Sequence, residues 1–298
     1  MRIGIDLGGT KTELIALDRQ GNERLRFRRP TPTADYTATI TQLAEMVRYA
    51  EQQLQQSASV GIATPGAIST HSGLMKNCNS TCLNGKPLQD DLEYALQRPI
   101  RISNDANCFA LSEATDGAAS GCAVVFAVIL GTGVGGGIVI NGELVEGANR
   151  IAGEWGHNPL PLPTDSELPG PDCYCGRCGC IETWLSGPAM SLDHYRQSGQ
   201  HLSAQQLSLQ AVQGHKACLQ TVNRYCERLA KSLASVVNIL DPNIIVVGGG
   251  LSNISIIYQK VVQLWQPYLF TDSVETRLLP PMHGDSSGVR GAAWLWSE

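Results

Sequence analysis

A two-lobed α/β fold is what this sequence predicts, because three separate strands each break into glycine. The first is Ile3-Gly-Ile-Asp6, which runs into Leu7-Gly-Gly-Thr10-Lys11 and returns as Thr12-Glu-Leu-Ile-Ala-Leu17. The second repeats that plan: Val124 to Leu130 is apolar throughout, Gly131-Thr-Gly133 turns it, and Gly137-Ile-Val-Ile140 runs back. The third is Ile244-Ile-Val-Val-Gly248-Gly-Gly250. The echo between the first two points to a duplicated α/β plan.

Helices fill the intervals. From Tyr36 to Gln56, Ile40, Leu43, Val47, Ala50 and Leu54 recur at three and four residues, the spacing of one helical face. From Leu219 to Leu240 the same spacing joins Val222, Cys226, Leu229, Leu233, Val236 and Leu240, and Asp241-Pro242 ends the run. The small-residue segment from Gly284 to Trp296 reads as a tightly packed last helix. Composition shifts at Asp116-Gly-Ala-Ala-Ser-Gly121. The expected division is a first lobe of residues 1–117, to which a helix at about 285–298 returns, and a second lobe of residues 118–284.

A formal charge of −5 argues against a nucleic-acid surface, which needs clustered Lys and Arg. No apolar run reaches the roughly 18–20 residues of a membrane span. Met1-Arg-Ile-Gly-Ile-Asp6 begins as a strand and lacks the apolar core of an export signal, so the expected location is cytoplasmic. Ten cysteines in such a chain then read as metal ligands or free thiols rather than disulfides.

Asp6-x-Gly8-Gly9-Thr10-Lys11 sits where a strand ends. Glycine there lets backbone N–H groups approach phosphate oxygens, Thr10 adds a hydroxyl, and Asp6 is placed to hold magnesium through water. For a lone Gly-Gly a plain hairpin turn is the better explanation; the second turn at Gly131-Thr-Gly133 is what favours phosphate. No Gly-x-Gly-x-x-Gly follows the first strand into a helix, and no Gly-x-x-x-x-Gly-Lys-Ser/Thr is present, so dinucleotide and P-loop folds are excluded. Two hairpins plus Gly248-Gly-Gly250 fit an actin-like ATPase (ribonuclease H-like) architecture.

Ser103-Asn104-Asp105-Ala-Asn107 follows the short apolar segment Ile100-Arg-Ile102. Asp105 can accept the proton of an attacking hydroxyl, which is most of what phosphoryl transfer asks of a side chain. The same residues read equally well as a helix N-cap, and both roles can hold together.

Cys173-Tyr-Cys175-Gly-Arg-Cys178-Gly-Cys180 packs four thiols into eight residues, downstream of Glu154-Trp-Gly-His157. His157, Cys173, Cys175 and Cys180 form an N/S₃ set suited to tetrahedral zinc. Three thiolates and an imidazole leave no open position, so the expected metal is structural and pins a loop carrying Glu154, His157 and Glu182. Cys178 is surplus: either it is free or the ligand set is shifted. His157 can bind the metal through one ring nitrogen and offer the other to substrate.

Together these motifs resemble the ROK family of bacterial sugar kinases and sugar-responsive repressors, from Ile3 to Trp296. The resemblance implies ATP with magnesium, a hexose substrate, a structural zinc and a homodimer. It makes Asp105 the catalytic base and assigns sugar contacts to Asn104, Asp105, Glu154, His157 and Glu182. Gly66 and Asn79 are similar to further family positions that touch the sugar. The ATP and magnesium contacts it implies are Gly4, Ile5, Asp6, Leu7, Gly8, Gly9, Thr10 and Lys11 in the first lobe. In the second they are Gly131, Thr132, Gly133, Val134, Gly135, Gly136, Gly137, Ile138 and Gly249. Lys76 to Thr81, His157 to Pro161 and His283 to Trp294 look most like bacterial fructokinase members, mannokinase-like, so fructose is the expected sugar. The N-acetylglucosamine kinase branch is the alternative, since it shares the Asn104 to Ala114 region. A repressor would need a DNA-reading helix before Ile3, and a non-catalytic sugar-binding module would need neither Asp105 nor Asp6.

Overall fold

The computed structural model describes residues 1–78, 80–284 and 287–296. β1 (Arg2–Leu7) and β2 (Lys11–Leu17) form an antiparallel hairpin that β3 (Glu23–Pro30) extends. α1 (Tyr36–Leu54) follows; Asp35 caps it by accepting from the Ala38 N–H at 2.9 Å, and Leu43, Met46, Val47 and Ala50 make its buried stripe. The chain re-enters the sheet as β4 (Ser59–Thr64), parallel to β1. A ribbon of β5 (Ala67–Ile68) and β6 (Met75–Lys76) and then α2 (Leu88–Leu96) lead to β7 (Ile100–Asn104), parallel to β4. The order is β3-β2-β1-β4-β7. α3 (Asp105–Thr115) starts directly from β7.

β8 (Val124–Leu130), β9 (Val134–Ile140) and β10 (Glu143–Leu144) open the second sheet. Next come α4 (Glu182–Leu185), α5 (Gly187–Ser198), α6 (Ala204–Val212) and α7 (Lys216–Leu240). β11 (Ile244–Gly248) pairs in parallel with β8, α8 (Ile256–Leu264) crosses over, and β12 (Arg277–Leu279) pairs in parallel with β11. Parallel strands buried on both faces require the near-continuous apolar runs noted above. α9 (Ser287–Trp294) ends the described chain. Among the described residues, no helix is long and apolar enough to cross a membrane.

The chain divides into two compact units. The first holds Met1–Gly121, Gly137–Ala152 and the C-terminal segment with α9; the second holds Cys122–Gly136 and Gly153–Gly284. The segment Gly137–Ala152, expected in the second lobe, thus belongs to the first unit. Gly137 lies flat on α3: a Cβ there would stand 2.7 Å from the Ala106 carbonyl oxygen and 2.8 Å from Ala110 Cβ. α9 is seated the same way. A Cβ on Gly4 would be 2.1 Å from the Val289 oxygen, and one on Gly291 would be 1.6 Å from the Cys108 oxygen. No side chain fits at either point, so these glycines serve close packing.

In the second unit, Arg228 of α7 is buried against the Glu167 carboxylate at 2.7 Å and Asp193 of α5 at 3.1 Å, with Lys231 3.6 Å from Glu167. This network ties the loop ahead of the cysteines to α5 and α7.

Candidate active site

In the first unit the parallel strands β1, β4 and β7 end level with one another: Asp6 is paired with Ala63, and Ala63 with Ser103. Asp6 also lies opposite Glu13, which lies opposite Arg28, forming one row on one face of the sheet. Two like charges facing each other across a strand pair are unfavourable. Arg26 and Arg28 take up Glu13, Arg28 Nε at 2.8 Å from its Oε2. The β1–β2 turn closes through the Gly8 N–H donating to the Lys11 oxygen at 3.1 Å, leaving Gly9, Thr10 and Lys11 exposed. Thr31 braces that turn, donating from its hydroxyl to the Gly8 oxygen at 2.8 Å and from its N–H to the Thr10 oxygen at 3.0 Å. Nothing in the sequence singled out Thr31, because the contact joins the hairpin to the loop after β3. Gly4, Ile5 and Leu7, expected at the nucleotide, are strand residues: Gly4 lies under α9, and Ile5 and Leu7 are core.

Asn104 and Asp105 begin α3. Asn104 is the N-cap, accepting from the Asn107 N–H at 2.7 Å, and Asp105 Oδ1 accepts from the Ala106 N–H at 2.8 Å. Asn104 is thus the cap, while Asp105 stays open to solvent at the strand end. Surrounding protein nevertheless raises Asp105 above the ordinary carboxylate range, against the lowering pull of the Ala106 and Asp105 N–H groups. Asp6 is pushed up to about 6, first by burial and then by the Asp105 and Glu13 charges, with Lys11 and Arg28 pulling the other way. A buried carboxylate raised by neighbouring negative charge, as Asp6 is, forms the electrostatic setting a divalent cation relieves. Gly66 turns the chain after β4 at φ +78, where a Cβ would meet the Lys76 oxygen at 2.3 Å. Asn79 lies outside the described residues.

In the second unit the β8–β9 turn presents Gly131, exposed Thr132 and Gly133. Glu182, the first residue of α4, reaches this turn: its Oε2 accepts from the Val134 N–H at 2.8 Å. Gly249 backs the turn, since a Cβ there would stand 2.5 Å from the Leu130 oxygen. Gly135 and Gly136 are strand residues; Trp155 Nε1–H donates to the Gly135 oxygen at 2.9 Å, and a Cβ on Gly136 would press on the Gly153 oxygen. Gly137 and Ile138 continue β9 into the first unit. A Cβ on Gly156 would be 2.2 Å from the Val134 oxygen, so the Glu154-Trp-Gly-His157 step lies directly on β9.

The structure brings together His157, Cys173, Cys175 and Cys180, one donor atom from each lying within 4.8 Å of all the others. Cys173 Sγ is 3.5 Å from His157 Nδ1, and Cys175 Sγ is 3.6 Å from Cys180 Sγ. A tetrahedron built on Zn–S bonds of about 2.3 Å sets its corners about 3.8 Å apart, so the donor set fits zinc. Arg177 draws the Cys175 thiol down toward its thiolate, while burial and the neighbouring thiols raise Cys180. Cys178 stands apart, its thiol donating to Asp172 Oδ1 at 3.1 Å.

The ROK family matches residues 2–298 of the chain. The chain belongs to the ROK family. Among its relatives is the N-acetyl-D-glucosamine kinase of Pectobacterium atrosepticum, 40% identical over 99% of this chain and 98% of its own length. The fold is similar to that of the ROK hexokinase from Thermus thermophilus, with a TM-score of 0.86 at 29% identity over 98% of this chain and 96% of that one. A ROK glucokinase from Streptomyces griseus, solved with glucose and AMPPNP, gives a TM-score of 0.78 at 26% identity over 99% and 98% of the two chains. The expectation of a fructokinase is overturned: full-length curated relatives at 38–40% identity are N-acetyl-D-glucosamine kinases.

Proposed function

We propose that this ROK protein is an ATP-dependent N-acetylglucosamine kinase that phosphorylates the primary 6-hydroxyl. The observation that carries the sugar assignment is the 40% identity, over 99% of the chain, to a kinase named for that sugar. The chemistry is supported by the Asp6–Asp105 carboxylates of the first unit. Asp105 takes the proton of the 6-hydroxyl, the oxygen attacks the γ-phosphorus, and the bond from that phosphorus to the leaving ADP oxygen breaks. A base raised toward neutrality holds that proton better than an ordinary carboxylate. Asp6 would hold magnesium, which neutralises phosphate charge when bound. The glycine turns Gly8–Thr10 and Gly131–Gly133 each offer N–H groups suited to phosphate. Asn104, Glu154, His157 and Glu182 are assigned to sugar hydroxyls.

An ADP-release assay with ATP and magnesium against N-acetylglucosamine, glucose, mannose and fructose in parallel is expected to give the highest kcat/KM on N-acetylglucosamine. A preference for any of the other three would sink the substrate assignment and leave the kinase assignment standing.

The cysteine cluster is proposed to hold a structural zinc that fixes the segment from Glu154 to Glu182. Cys175→Ser is expected to abolish stoichiometric zinc after dialysis against a chelator, since a closed site depends on all four donors. Metal content equal to wild type would remove Cys175 from the ligand set.

A further inference from the structure

His157 offers its two ring nitrogens to different partners. Nδ1 lies among the thiols, 3.5 Å from Cys173 Sγ, and Nε2 lies 2.9 Å from the Tyr174 hydroxyl. The two rings meet edge to face, with centroids 5.1 Å apart at 84°. A nitrogen that ligates a metal uses its lone pair, so in the neutral imidazole the proton sits on the other nitrogen. With a metal on Nδ1, Nε2–H would donate to the Tyr174 oxygen, leaving the tyrosine's own O–H to donate elsewhere. Tyr174 is 84% exposed, and through His157 its hydroxyl adjoins the short helical turn that Glu154 precedes, while Cys180 of the same cluster lies two residues before Glu182. The spare donor thus stands where His157 would otherwise offer its own outer N–H, so that His157 reaches the sugar through Tyr174.

We propose that Tyr174 is a sugar-binding residue of this chain: it receives the outer N–H of His157 and presents its own hydroxyl to a sugar hydroxyl beside Glu154 and Glu182. This inference rests on the hexose-kinase reading. It also gives Tyr174 a second consequence, because the group that takes the outer N–H of a ligating histidine fixes its tautomer and ring orientation, and so its hold on the metal. The sequence shows only an aromatic residue between two cysteines, which marks a turn as readily as a ligand contact.

The test is Tyr174→Phe in the zinc-loaded full-length protein, a change that keeps the exposed ring and deletes one oxygen. Losing one neutral hydrogen bond is expected to raise KM for N-acetylglucosamine about 5-fold, with the loss carried in KM rather than kcat because the contact serves ground and transition states alike. Zinc affinity, read by competition with a chromophoric chelator in the absence of sugar, is expected to fall about 10-fold. A wild type that turns over no hexose overturns the reading beneath the proposal. An active wild type with KM unchanged or lower in the variant overturns the Tyr174 assignment alone, and so does a loss confined to kcat.

Discussion

Asp105→Asn is expected to lower kcat by about 10²–10⁴-fold while the dissociation constant for the sugar changes little. The substitution is close to isosteric, and the structure indicates what survives it. An amide oxygen can still accept from the Ala106 N–H, now 2.8 Å from Oδ1, and the Asn104 cap on α3 is untouched. Only the capacity to take a proton is lost. The two carboxylates are also coupled, since the Asp105 charge is one of the causes that raise Asp6. Removing it should shift the acid limb of the residual activity to lower pH, an effect that a purely structural defect would not give. Stopped-flow turnover combined with calorimetric sugar binding checks the first outcome, and a pH profile checks the second. A kcat within 10-fold of wild type would place the base elsewhere.

How much of this was legible in the chain depended on how far apart the partners lie. The hairpin at Gly8 and Gly9, the knuckle from Cys173 to Cys180, and the helix ending at Asp241 are local patterns, and periodicity or spacing reveals them directly. Gly4, Gly136 and Gly137 show the limit. A glycine admits a phosphate and a packed helix for the same reason, the missing Cβ, so composition alone does not separate the two uses; the contacts with α9, Gly153 and α3 do. Likewise, no spacing rule connects Glu182 to the Val134 N–H, Glu13 to Arg26 and Arg28, or Thr31 to the β1–β2 hairpin. Each pairing joins segments that only the folded chain brings together. Sugar identity lay further still from view, because hydroxyl-reading side chains are the same residue types whichever hexose they read.

Asp6→Asn carries the other large effect, and it acts on stability and activity with opposite signs. The Asp6 carboxyl is raised from 3.8 to about 6 in the folded protein. An acid with a raised folded pKa disfavours folding once it ionises, so the penalty is absent below about pH 4, grows up to about pH 6 and is full above that. A shift of this size corresponds to about 3 kcal/mol. In the absence of magnesium and nucleotide, the asparagine variant is therefore expected to melt a few degrees above wild type at pH 7–8 and level with it at pH 4. Its turnover should be lost, because the group that carries the repulsion is the one that would receive magnesium. Adding magnesium to wild type should recover part of the stability gap by binding the folded state, and should leave the variant unmoved. Thermal melts from pH 4 to 8, with and without the cation, read all of these at once. A variant less stable than wild type at pH 7 would mean that the Asp6 carboxylate is already compensated within the first unit, through Lys11 and Arg28, and does not await a cation.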